Sequence, residues 1–217
     1  DFVGTVRRAA GDGEDTVVFF QIPEVLRILH DQAFWDVYYE HCSYFSRGSL
    51  ARLFRGQGFD VRALWTDYDD QYLMIEARPR TAPPAPCLAE EDDLDDLRCA
   101  VAAFETGIRE RLDRWRTTLR RYRSEGKTIA LWGGGSKAVA FLTTLGVRDE
   151  VACAVDINPY KHGTFLAGSG HEIVGPDALR AVRPDVVIVM NPIYCDEIGR
   201  TLAALDLAPV LLPIDAL

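Results

Sequence analysis

The longest regular feature of the chain is a run in which Leu94, Leu97, Val101, Phe104, Ile108, Leu112, Trp115, Leu119 and Tyr122 recur at steps of three and four. That period predicts one long amphipathic helix. It begins in acid, from Glu90 to Asp96, and ends in base, with Arg114, Arg116, Arg120, Arg121 and Arg123, the polarity that a helix dipole favours. Its apolar stripe needs cover, which two flanking domains, or a second copy of the chain in a homodimer, would supply.

After this helix the pattern changes to short, continuously apolar runs in alternation with helical segments. Strands are predicted over 128–132, 151–156, 185–190 and 210–214, and helices over 136–145, 176–182 and 195–205. Apolar strands separated by helices imply a parallel sheet covered on both faces, so the fold class is α/β with a Rossmann-like sheet in the C-terminal domain.

The first 80 residues are sparser. A polar turn over 11–15 precedes a buried-type strand over 16–22, and Ser46 and Ser49 offer caps to a helix whose apolar face is Leu50, Leu53 and Phe54. Strands over 60–65 and 71–77 flank the acidic turn Asp67-Tyr68-Asp69-Asp70 and read as a hairpin. So few strands have a poor ratio of core to surface, so this region is expected to be part of a domain. The chain also starts at Asp1 rather than Met, as a processed protein or fragment would. Residues 78–90 are rich in Pro and Ala, lack any period and read as a linker.

Composition narrows the function. A net charge of −9 argues against nucleic-acid partners, which need clustered Lys and Arg. No apolar run approaches the roughly 18 residues of a membrane span, and no basic-then-apolar leader opens the chain, so a cytoplasmic protein without membrane contact is expected. The five cysteines are scattered and lack C-x-x-C spacing, which points to reduced thiols and no metal site.

Candidate chemistry falls in two places. Gly133, Gly135 and Ala138 fit G-x-G-x-x-A between a predicted strand and a predicted helix, where glycines permit positive φ and free N–H groups attract an anion. Asp156 ends the next strand about 20 residues on, where an acid can bind a ribose hydroxyl. Ser136, Lys137, Asn158, Tyr160, Lys161 and Asn191 leave the same strand ends and complete a candidate site for a phosphate-bearing ligand. The same glycines would also suit a plain strand-to-helix turn. The second place is the run Phe34 to Phe45, which sets Tyr38, Tyr39, Glu40 and His41 side by side. Histidine in general has an unperturbed pKa of about 6.5, so His41 could act as a general base, or be a structural histidine in an aromatic core. His30, His162 and His171 are expected at the surface or in loops.

The blocks Phe20-Gln21-Ile22-Pro23, Tyr38-Tyr39-Glu40-His41-Cys42-Ser43-Tyr44-Phe45-Ser46 and Gly48-Ser49-Leu50 resemble the substrate-side half of S-adenosylmethionine-dependent sugar C-methyltransferases. Trp132-Gly133-Gly134-Gly135-Ser136-Lys137 and the run from Val155 to Gly163 are similar to that family's C-terminal Rossmann-like domain. The resemblance implies three parts: the C-terminal half of a class I methyltransferase-like domain over 1–80, a linker and long helix over 81–126, and the Rossmann-like domain over 127–217. It also implies that His41 removes the proton beside a keto group of a nucleotide-linked sugar, that the resulting enolate attacks the methyl sulfonium, and that Glu40 and Tyr38 orient the base or the sugar. The S-adenosylmethionine-binding half would precede Asp1, so this chain alone is expected neither to bind that cofactor nor to turn over. The pattern departs at Tyr39, where the sugar enzymes often have a second His, and at Tyr68 to Leu73, where they carry a Gly-Gly-Ser strand start. Two other readings stay open: an NAD(P)-linked oxidoreductase using Gly133, Gly135 and Asp156, and a non-catalytic nucleotide-sugar-binding module.

Overall fold

The structure, a computed structural model, describes residues 2–13, 15–80 and 83–217. Asp1, Glu14 of the expected turn and Thr81-Ala82 of the expected linker lie outside the described residues. The chain divides into two compact units, one of Asp1–Asp31 with Cys42–Phe104 and the other of Gln32–His41 with Glu105–Leu217.

The first unit holds helix α1 (Phe2–Ala10), strand β1 (Val18–Pro23), helices α2 (Val25–His30) and α3 (Arg47–Gly56), and strands β2 (Phe59–Asp67) and β3 (Tyr72–Pro79). The sheet order is β1-β3-β2, with β3 antiparallel to both neighbours. The expected hairpin forms, and Tyr68, Asp69 and Asp70 turn it with positive φ angles, tolerated because Asp favours the left-handed region more than most residues. Helix α3 starts where Ser46 and Ser49 exchange hydrogen bonds in a capping box. It buries Leu50, Ala51 and Phe54 against Phe59, Val61, Leu64, Leu73 and Ile75 of the hairpin. Helices α1 and α2 were not expected; six residues of α2 are too few for a helical period to show.

The long helix, α4 (Leu94–Ser124), runs 31 residues as its stripe predicted. In the second unit it is followed by β4 (Ile129–Trp132), α5 (Ser136–Leu145), β5 (Cys153–Val155), β6 (Ile173–Val174), α6 (Leu179–Val182), β7 (Val186–Val189), α7 (Cys195–Ala204) and β8 (Val210–Pro213). All five strands are parallel, in the order β6-β5-β4-β7-β8. In chain order that is third, second, first, fourth, fifth, so the winding reverses between β4 and β7. An open parallel sheet binds ligands outside the carboxyl ends of its strands at this reversal. The α/β class and the Rossmann-like sheet are therefore as the sequence predicted, with β6 as an added edge strand.

Residues 32–41 belong to this second unit. Phe34 stacks on Phe141 of α5, ring centroids 5.8 Å apart, and Trp115 of α4 meets the edge of Phe141 at 4.8 Å. The Arg111 guanidinium lies over the Trp35 ring at 5.0 Å. Phe34, Trp35, Trp115 and Phe141 are all buried, so the aromatic run anchors on the helix that follows the glycine turn. Among the described residues no helix is long and apolar enough to cross a membrane.

Candidate active site at the reversal of the sheet

The site begins at the end of β4. Gly133 has a φ of +121°, and a Cβ there would come within 2.9 Å of Met190 Cβ at the end of β7. Only glycine lets the backbone turn this close to the neighbouring strand. Gly133 N–H donates to Val155 O (2.8 Å) and Gly134 N–H to Asp156 Oδ2 (3.1 Å), which ties the turn to the end of β5. Gly135 then caps α5 without a side chain. The first N–H groups of a helix have no intrahelical acceptor and carry the positive end of its dipole, which favours an anion.

A cavity of about 500 Å³ opens here, lined by Tyr38, Trp132, Gly133, Ser136, Asp156 and Asn191, among others. Its floor is apolar, from Trp132 and Met190. That mixture of apolar floor and a few polar groups suits a small organic ligand.

The aromatic loop reaches the same place. Ser136 Oγ donates to Glu40 Oε1 at 2.8 Å, and Lys137 Nζ lies 3.1 Å from Asp36 Oδ1, whose side chain is buried. His41 Nδ1–H donates to Asp36 O at 3.0 Å, and its ring lies 3.8 Å from that of Tyr38. With Nδ1 protonated, Nε2 carries the lone pair in the neutral imidazole.

Asp156 is engaged on both oxygens. Oδ2 accepts from Lys161 Nζ (2.8 Å) and Gly134 N–H, and Oδ1 from Asn158 N–H (2.8 Å). Burial pushes its carboxyl up, but the Lys161 ammonium and the Asn158 and Gly134 N–H groups outweigh burial and hold it below the ordinary value. Lys161 also donates to Gly134 O at 3.1 Å.

Residues 76–208 match the family described as the C-methyltransferase C-terminal domain. The chain belongs to this family. It is also 30% identical over 193 residues, 85% of its length, to the C-methyltransferase NovU of Streptomyces niveus, and it spans 46% of that relative's length. The resemblance carried by the sequence blocks therefore stands. The family match takes in the glycine turn, Asp156 and α7, and begins after the aromatic loop.

Of the residues singled out in the sequence, Tyr38, Gly133, Gly135, Ser136, Lys137, Asp156 and Asn191 line the cavity. Glu40 joins through its bond to Ser136, and His41, whose ring lies against that of Tyr38, is not among the lining residues. Asn158 caps the turn Pro159–Lys161 through Tyr160 N–H, Tyr160 is 93% exposed, and Lys161 is held by Asp156. These three stand outside the lining.

Sequence reasoning missed Ile157, Met190, Glu197, Ile198 and Thr201, whereas Tyr194 leaves the strand at the same edge as Asn191, where the sequence placed it. The signal for Glu197, Ile198 and Thr201 was present: α7 follows the strand at the reversal, and its first two turns carry them.

The remaining histidines stand at the surface or in loops, as expected, and the loop position of His171 is a buried one. Neither of its ring nitrogens has a hydrogen-bond partner among the described residues. His162 Nε2–H donates to Asp156 O at 2.7 Å, and His30 pairs with Asp96. All five cysteines are free thiols. Among the described residues no group of three or more His, Cys, Asp or Glu is arranged to hold a metal ion.

Proposed function

We propose that this chain is the substrate-anchoring part of a methyltransferase acting on a nucleotide-linked ketosugar or a related small metabolite, with His41 as the base. The observation that carries the reading is the junction of aromatic loop and glycine turn, where Ser136 bonds Glu40 and Tyr38 shares the cavity wall with Gly133 and Gly135. Membership of a C-methyltransferase family supports the reaction class.

In this reading the backbone N–H groups at the start of α5 receive a phosphate, while Tyr38, Trp132 and Met190 exclude water. Asp36 O accepts from His41 Nδ1–H and so fixes the tautomer with the lone pair on Nε2, the atom this reading assigns to take the proton from the carbon beside the keto group. The C–H electron pair moves toward the carbonyl oxygen as an enolate, which makes that carbon nucleophilic. Glu40, held by Ser136, positions the loop that carries the base.

S-adenosylmethionine is the methyl donor that the resemblance implies. The described residues fit it poorly at the glycine turn, because Asp156, the acid placed to bind a ribose, already accepts two donors on Oδ2 and one on Oδ1 and cannot offer both oxygens to the diol. Residues outside this chain would hold the donor. The same engagement of Asp156 counts against an NAD(P)-linked oxidoreductase.

The test is proton exchange in the full-length protein, without methyl donor, using a nucleotide-linked ketosugar in D₂O. His41→Asn should slow exchange beside the keto group by about 100-fold or more, with affinity nearly unchanged. Exchange at the wild-type rate would remove His41 as the base. Binding without exchange in the wild type would favour a non-catalytic module.

A further inference from the structure

Two acids face the cavity, and they differ in what is left of their hydrogen-bonding capacity. Asp156 has donors on both oxygens. Glu197, in the first turn of α7, lines the same cavity, and among the described residues no cation or hydrogen-bond donor reaches its carboxylate. Ile198 and Thr201 of α7 and Tyr194, the residue that caps it, line the same cavity. The Thr201 hydroxyl is turned back to Glu197 O at 3.0 Å and leaves the carboxylate itself free.

This charge dictates what can lie next to it. Lys137 is paired with Asp36 and Lys161 with Asp156, so neither offsets Glu197. A phosphate beside Glu197 would meet like charge, so a neutral group rich in donors suits this part of the wall better. A carboxylate is acceptor-only and offers two oxygens side by side, which matches adjacent hydroxyls on a sugar ring.

We propose that Glu197 is a specificity-determining acid that accepts hydrogen bonds from a vicinal diol of the ligand, the role that Asp156 is not free to fill. The inference rests on the reading of the cavity as a nucleotide-sugar site. The diol belongs either to the ribose of the nucleotide or to the attached hexose.

Calorimetric titration of the full-length protein with UDP-glucose, UDP and dTDP-glucose tests it. Glu197→Ala should weaken UDP-glucose binding about tenfold, and Glu197→Gln, which keeps one acceptor, by less. A ribose diol makes the loss appear with UDP and vanish with dTDP-glucose, whose deoxyribose lacks the 2′-hydroxyl. A hexose diol gives the reverse. Unchanged affinity in Glu197→Ala for every ligand overturns the proposal, as does equal loss for UDP and dTDP-glucose, which share no vicinal diol. If the wild type binds none of the three, the cavity reading itself fails and this assignment falls with it.

Discussion

Ser136 Oγ donates to Glu40 Oε1 across 2.8 Å although 96 positions of chain separate the two residues. The bond joins the first residue of α5 to the loop that carries Tyr38 and His41. A double-mutant cycle of Ser136→Ala and Glu40→Gln, read by urea unfolding, should give a coupling of about 0.5 to 1 kcal/mol, because the pair is partly exposed. Additive effects would mean that the contact contributes nothing to holding the loop.

The loop's main anchor is apolar. Phe34 is 5% exposed and stacks on Phe141, so Phe34→Ala should destabilise the second unit by about 3 kcal/mol, within the range for truncating a buried aromatic. Urea unfolding checks the magnitude. A loss below about 1 kcal/mol would show that residues 32–41 do not depend on this packing.

The Asp156–Lys161 pair sets a pH dependence. A carboxyl held below its ordinary value contributes stability that is complete above the unfolded pKa, about 3.9 for Asp, and is lost as pH falls through the folded value. Asp156→Asn should therefore be less stable than the wild type at pH 7, and the gap should close below about pH 4. A gap that is constant from pH 7 to pH 3 would rule out the pairing as its source.

Thiol chemistry reports on the sheet. Burial, with a lesser push from Glu172, raises the Cys153 thiol to about 11, and burial also raises Cys195. Alkylation near pH 8 should modify exposed Cys42, Cys87 and Cys99 first, Cys195 later and Cys153 only on unfolding. Early labelling of Cys153, followed by mass spectrometry, would contradict its place in β5.

The elements that were legible are those whose signal is local. Helix α5 spans Ser136–Leu145 as its flanking glycines predicted, and α4 follows the three- and four-residue stripe over its whole length. The cavity was legible to the extent that the glycine turn and Asp156 named the strand ends that form it. What escaped depends on contacts distant in sequence. Nothing in Phe34 or Trp35 shows that they meet Phe141 and Arg111, and a run of aromatics suits either unit equally. Asp156 and Lys161 were both expected to face ligand, but a carboxylate and an ammonium five residues apart pair with one another once the turn at Asn158 brings them within 2.8 Å. His171 is buried because Phe165 and Glu172 bridge as an antiparallel pair, a return of the chain that no periodicity announces.

In the proposed function, the turn at the end of β4 and the start of α5 receive the phosphate of a nucleotide-linked sugar. Backbone amide NMR of the isotope-labelled protein during titration with UDP-glucose and dTDP-glucose tests it directly. The account predicts saturable shifts that are largest at Gly133, Gly135, Ser136 and Lys137, with smaller ones at Asn191 and Glu197. Absence of saturable shifts with either ligand, or shifts confined to residues away from these strand ends, would contradict it.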